Sequence, residues 1–256
     1  MSTLNPYRVA KKSIIKRLKW DINLESWKSR SKLKKIKNNY IGEKAVILCN
    51  GPSLNNTNFK LLNDVYTFGL NKINLIFRKT EFRPSAIVSV NPFVLKQNER
   101  FFNNTNIPLF LDSKGLGFIR SNPDRIYLHS STYRTFAEDC SISIYQGYTV
   151  TYVAMQIAYH MGFEKVALIG CDHNFQTKGP ANKTVESKHK DPNHFDPNYF
   201  SDGDKWNLPD LLQSEVSYNM AKNAFENNDR KIFNCTEGGE LEIFPRKSLE
   251  EFIFKI

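Results

Sequence analysis

A chain of 256 residues that is 40% hydrophobic, with 19 Phe and 11 Tyr, carries enough apolar mass for one sizeable core and too much for a disordered chain. Its net charge of +10 is uneven: residues 1–44 hold 13 Lys/Arg against three Asp/Glu, while the remainder holds 23 of each. A body of balanced charge argues against nucleic acid as a partner, and no apolar run approaches the ~20 residues of a membrane-spanning helix.

The first 42 residues form a basic extension in which Lys and Arg alternate with Ile14, Ile15, Leu18, Trp20, Leu24 and Trp27. Such a pattern predicts an amphipathic helix over residues 8–37, lying on an anionic membrane surface, capping the domain as a solvated helix, or serving as a partner-binding arm. From residue 43 onward strands and helices alternate. The continuous apolar run at 44–49 reads as a strand covered on both faces, followed by a short helix at 59–62. Further strands are predicted at 65–70, 85–90 and 165–170, with weaker ones at 107–111 and 125–129 and a last one at 231–235. Helices are predicted at 73–79, 149–161 (stopped by Gly162), 209–227 and through the closing segment RKSLEEFIF.

This alternation predicts a single Rossmann-like α/β domain over 43–256, with a mainly parallel, doubly wound sheet. Ligands of such folds bind at the carboxyl ends of the strands, where Asn50, Asn71, Asn91 and Asp172 each directly follow one. Residues 173–208 are polar and aperiodic, too long for a mere connection, and predict a lid. The four cysteines (Cys49, Cys140, Cys171, Cys235) are dispersed, and no apolar signal core opens the chain. Both point to a reducing, cytoplasmic location.

The turn Asn50-Gly51-Pro52-Ser53 concentrates chain-breaking chemistry after the first strand. Gly51 allows close backbone approach or positive φ, Pro52 stiffens the turn, and Ser53 can cap the next helix. Aimed at a crevice, these groups form an anion site, though a purely structural tight turn reads almost equally well. There is no GxGxxG, no Walker A loop and no acidic residue closing the second strand, so the common nucleotide cofactors are not signalled.

AVILCNGPSL resembles the opening strand and turn of the family 42 bacterial sialyltransferases. GLNKI, AIVSVNPFV and TVTYVAMQIAYHMGFEKVALIGCDHNF resemble that family's later motifs in the same order. The same turn and Gly-x-Asp strand end also mark a wider group, which includes the Maf flagellin glycosyltransferases and the archaeal 6-hydroxymethylpterin diphosphokinases. The resemblance implies that Asn50, Gly51, Pro52 and Ser53 meet the phosphate and ribose of a CMP-sugar. It implies Asn71 and Asn91 at the nucleotide and donor, Thr149 and Thr151 at the donor's carboxylate or hydroxyls, and Gly170 and Asp172 on the cytidine side. The chain departs from the family in carrying Gly147-Tyr148 before the helix, where the family has Thr-Ser-Gly.

The resemblance also places a catalytic His in the lid. His194 is the expected base for the acceptor hydroxyl, with His189 and His173 as competitors, and Tyr199 is the expected hydrogen-bond donor to the leaving phosphate. Thr236 and Gly238-Gly239 are expected near the nucleotide or as a tight turn. No spacing signals a zinc site, and a magnesium ion held by Asp172 or Asp196 would favour diphosphokinase chemistry. The expected function is an inverting, metal-independent transferase without further cofactor. It would move a sialic-acid-like sugar from CMP to a cell-surface glycan or lipid-linked acceptor at the inner face of the cytoplasmic membrane. Self-association is left open, and a magnesium- and ATP-dependent pterin-type pyrophosphokinase and a nucleotide-binding protein without catalysis are the alternatives.

Overall fold

The structure is a computed structural model, and it describes residues 5–177, 179–188 and 190–254. Seven strands form one parallel sheet: β1 (Lys44–Leu48), β2 (Tyr66–Leu70), β3 (Ala86–Ser89), β4 (Leu109–Asp112), β5 (Arg125–Leu128), β8 (Lys165–Ile169) and β11 (Lys231–Asn234). Two short pairs stand apart: β6 (Ser130–Ser131) runs beside β7 (Ile144–Tyr145), and β9 (Thr184–Glu186) is antiparallel to β10 (Lys205–Asn207). The sheet order is β11-β8-β1-β2-β3-β4-β5. The chain therefore builds outward from β1 to β5 and then returns to the other side of β1. The gap between β1 and β8 is the topological switch point, where such sheets bind ligands.

Strand β1 feeds both faces of the sheet by simple alternation. Ala45 and Ile47 join a core completed by α5 (Val150–Met161) and α6 (Leu211–Glu226), while Val46 and Leu48 join the opposite core. Helix α5 is buried along nearly its whole length; Thr149 caps its start and Gly162, at φ 101°, ends it. The second core is closed by α3 (Pro92–Gln97), α4 (Glu99–Asn104), α7 (Leu249–Phe254) and, unexpectedly, four aromatics of the polar segment: Phe195, Tyr199, Phe200 and Trp206. The helices predicted at 59–62 and 73–79 are 3₁₀ turns, Phe59–Leu62 and Ile73–Arg78.

The basic extension consists of α1 (Pro6–Asp21) and α2 (Leu24–Ile36). Helix α2 covers edge strand β5: Ser29 Oγ accepts the Tyr127 amide at 2.9 Å, and Lys32 Nζ donates to the Asn122 and Arg125 carbonyls. Leu33 is buried beneath it, and the Leu33 carbonyl meets His160 Nε2 at 2.9 Å. Trp20, grouped in sequence with surface-facing residues, is instead buried against His129 with ring centroids 5.9 Å apart. Ile14, Ile15, Leu18, Leu24 and Trp27 do remain exposed. No helix among the described residues is long and apolar enough to cross a membrane.

Burial of His129, with Lys16 and Arg17 facing it, pushes its pKa down to about 4, against smaller opposing effects of Asp112 and Asp21. The unfolded chain then binds a proton near the ordinary value of about 6.5 that the folded chain refuses. Stability is accordingly expected to hold above pH 6.5 and to fall as pH drops from there toward 4. His160, whose pKa burial also lowers, adds to the same slope. Replacing His129 by Gln is expected to flatten that part of a urea-unfolding profile measured from pH 7 to pH 4, and an unchanged slope would refute the assignment.

Candidate active site

At the switch point the Asn50–Ser53 turn is locked to the end of β8. Gly51 N–H donates to the Gly170 carbonyl at 2.8 Å. Ser53 gives both its backbone N–H (3.2 Å) and its hydroxyl (2.8 Å) to the Asp172 carboxylate. Gly51 has φ −70°, so it is there for close approach and not for positive φ. A Cβ at this position would lie 1.8 Å from Asp172 Oδ2 and 2.7 Å from the Gly170 carbonyl. Gly170 itself has φ +65° and leaves no room for a side chain against Leu54.

Above this turn a cleft of about 680 Å³ runs along the carboxyl ends of the strands. Ten of the twelve expected site residues line it: Asn50, Gly51, Asn71, Asn91, Thr149, Thr151, Gly170, Asp172, His194 and Tyr199. Pro52 and Ser53 do not line it. Ser53 faces a second, smaller cavity of about 450 Å³ on the far side of the turn, shared with Thr236 and Arg246. Thr236 acts there as a support, its hydroxyl accepting the Cys171 amide at 3.0 Å. Gly239, at φ +73°, packs against the Asp172 backbone, while Gly238 beside it faces open space.

Several of the cleft's polar groups already have local work. Asn91 caps α3 through the Phe93 amide, and Thr149 caps α5 through the Thr151 amide. Asn71 sits at φ 50° with its side-chain oxygen held by Ser89. Asn50 differs: its carbonyl accepts the Phe195 amide at 2.9 Å, but its buried Oδ1 has no partner among the described residues. That open acceptor points to a donor supplied by a ligand.

The polar segment folds down as a packed lid. His194 Nδ1 meets Asp191 Oδ2 at 2.7 Å, and its ring stacks on Tyr199 with centroids 3.9 Å apart and planes 3° from parallel. Asp191 is held in turn by the Asn193 amide at 2.8 Å. With Nδ1–H donating to the carboxylate, Nε2 is the nitrogen left to accept a proton, the geometry of an oriented general base. Tyr199 is 1% exposed and its hydroxyl accepts the Lys72 amide at 3.4 Å; burial pushes its phenol well above the ordinary range. Tyr199 is thus the platform on which His194 stacks, and its hydroxyl, which accepts from Lys72, keeps its own proton to donate. His173 is taken by Glu215 at 3.0 Å, and His189 lies outside the described residues.

Sequence reasoning missed three contributors here. Asp191, the orienting carboxylate, sits three residues before His194 in a non-helical stretch, where that spacing carries no signal. Lys72 is buried and clamps the lid, donating to the Tyr199 carbonyl at 2.7 Å and pairing with Asp204 at 3.2 Å. Burial lowers its pKa, while Asp204 works the other way. Tyr218, from α6, approaches Thr149 Oγ1 at 3.5 Å and lines the cleft. Among the described residues no three His, Cys, Asp or Glu side chains converge to hold a metal ion. Asp172 and Asp191 are both committed to the contacts above, and Asp196 accepts the Asn198 amide.

A parallel sheet flanked by helices, with a glycine turn at its switch point and a lid carrying an Asp–His pair, defines a Rossmann-like α/β protein. Residues 19–178 match the family described as 6-hydroxymethylpterin diphosphokinase MptE-like, and the chain belongs to this family. Among solved structures, the Maf glycosyltransferase from Magnetospirillum magneticum AMB-1 is similar, with a TM-score of 0.53 and 13% identity. The likeness covers 90% of this chain and 39% of that one, so this chain spans well under half of that protein, and the shared property is the fold. No curated protein matches. These matches bear out the wider group expected from the turn, whereas the sialyltransferase likeness rests on the motifs alone.

Proposed function

We propose that this protein transfers a sialic-acid-like sugar from a CMP donor to a glycan or lipid-linked acceptor, with inversion and without a metal ion. The observation that carries the reading is His194, paired with Asp191, stacked on Tyr199 and lining the same cleft as Gly51. The turn and the unpartnered Asn50 Oδ1 would receive the nucleotide. Thr149, Thr151 and Asn91 would meet the sugar, and Nε2 of His194 would take the proton of the attacking hydroxyl. A single displacement of this kind inverts the reacting carbon; Asp172, the carboxylate that lines the cleft among the described residues, is engaged by the Ser53 amide and hydroxyl. The exposed Ile14, Ile15, Leu18 and Trp27 of the basic helices would rest on an anionic membrane where a lipid-linked acceptor is met.

The family's description favours a second reading, transfer of diphosphate from ATP with magnesium. Thermal unfolding with CMP, CDP, UDP, AMP and ATP, each with and without magnesium, separates the two. A ligand at about 100 times its Kd adds about 2.7 kcal/mol of stability. Stabilisation by CMP without metal is expected. A shift with ATP and magnesium alone would overturn the transferase and establish the diphosphokinase.

A further inference from the structure

The far end of the cleft holds a second cluster that the donor does not use. Its centre is Asp112, a buried carboxylate at the end of β4. Asp112 accepts the Lys114 amide at 2.9 Å, Gln146 Nε2 at 2.9 Å and the Ser130 hydroxyl. Gln146 also reaches Ser130 Oγ at 2.8 Å. Above this network the Ser130 carbonyl accepts Lys16 Nζ, from helix α1, at 2.6 Å. Lys16, Lys114, Ser130, Ser131, Thr132 and Gln146 all line the cleft.

Three neutral donors hold Asp112 in place, and no carboxylate lies within 4 Å of either ammonium group among the described residues. Two cations thus share this end of the cleft, with the Asp112 carboxylate as a neighbour and with neither ammonium in an ion pair within 4 Å among the described residues. Burial drives the pKa of Lys16 down; Asp112 opposes this and the charge of Lys114 adds to it. An anion bound between them would relieve that repulsion and use the ammonium protons left over.

Position decides which anion. In the order β1-β2-β3-β4-β5, β4 is three strands from the Gly51 turn and β5 is four. At about 4.8 Å per strand that is about 14 to 19 Å. A nucleotide phosphate resting on the turn cannot also touch Lys114. Two lysines and three hydroxyl residues suit a phosphate. Lys16 moreover belongs to the helix whose Ile14, Ile15 and Leu18 are exposed.

We infer that Lys16 and Lys114, framed by Ser130, Ser131, Thr132 and Gln146, form a second anion subsite for a phosphate or diphosphate group carried by the acceptor. The inference rests on the transferase reading for the word acceptor, but the subsite itself can be tested apart from it. Titration calorimetry with inorganic pyrophosphate and with geranyl diphosphate is run on the wild-type chain and on the Lys16→Met/Lys114→Met variant, with CMP as control. The variant is expected to lose diphosphate binding about ten- to a hundredfold, as for removal of charge-assisted hydrogen bonds, and to bind CMP as before. The Lys16→Arg/Lys114→Arg variant should retain diphosphate binding. Tighter binding of geranyl diphosphate than of pyrophosphate identifies a lipid-linked source, and equal binding a free phosphate; lysine dependence supports the subsite in both. Diphosphate binding that is absent, indifferent to the lysines, or displaced by saturating CMP overturns it. Absence of CMP binding beside intact lysine-dependent diphosphate binding would instead fail the transferase reading and leave the subsite standing.

Discussion

Replacing His194 by Gln is expected to lower donor turnover about 10²- to 10⁴-fold while CMP affinity and unfolding midpoint stay close to wild type. Glutamine retains a polar group of similar reach but has no basic nitrogen. The His194 ring is largely buried, stacked on Tyr199 and edge-on to Phe200 and Phe175, contacts that the planar amide of glutamine retains in part. The Asp191→Asn variant sharpens the test. Asp191 Oδ2 accepts from Nδ1 and thereby leaves Nε2 as the basic atom. An amide there can offer N–H to Nδ1, stabilise the opposite tautomer and leave Nε2 carrying the proton. A loss approaching that of the His194 variant is expected, again without loss of CMP binding. The measurement is CMP release from a CMP-activated acidic sugar, run across pH 5–9 beside CMP titrations. Unchanged turnover in both variants would leave a nucleotide-binding protein without His194 chemistry. Loss of CMP affinity in step with turnover would make the pair structural.

What was legible in the sequence follows from where burial leaves a simple trace. Strands β1 and β8 are covered on both faces and read as unbroken apolar runs, so both strands and, with the helices between, a parallel sheet could be predicted, while the strand order that sets the switch point could not. Helix α5 could be placed because Thr149 and Gly162 mark its ends. The turn was visible because glycine and proline are conspicuous, but the cause of Gly51 was not. Its contact with Asp172 spans 119 residues and appears only when β1 and β8 pair.

The lid was illegible for a different reason. Phe195, Tyr199, Phe200 and Trp206 build a core without period, since neither a helix nor a sheet spaces them, and the clamp from Lys72 is a buried charge that hydropathy counts as surface. Helix α2 hid in the same way. It meets the sheet edge through Ser26, Ser29 and Glu25, all buried, so its inner face reads as polar. The one available clue in the lid was the density of aromatics around His194 in HFDPNYF, more than a solvated loop needs.

The second large effect is expected at Gly51. Its replacement by Ala inserts a Cβ 1.8 Å from Asp172 Oδ2 and 2.7 Å from the Gly170 carbonyl, distances no side chain tolerates. The carboxylate can swing away only by abandoning the Ser53 amide and hydroxyl, and the backbone can retreat only by breaking the 2.8 Å bond from Gly51 N–H to Gly170. Strain and lost hydrogen bonds together are expected to cost about 2–5 kcal/mol and, on the proposed function, to abolish nucleotide binding, since Asn50 is displaced from the cleft wall when the turn opens. The two clashes can be told apart by a double-mutant cycle. Asp172→Ala removes the carboxylate but not the carbonyl, so Gly51→Ala should cost less in the Asp172→Ala background, yet still more than a surface substitution. Urea unfolding of the four proteins measures the coupling. Additive costs would mean that Gly51 and Asp172 act independently, and then the turn owes its shape to Pro52 and to the Gly170 contact instead of to the carboxylate beneath it.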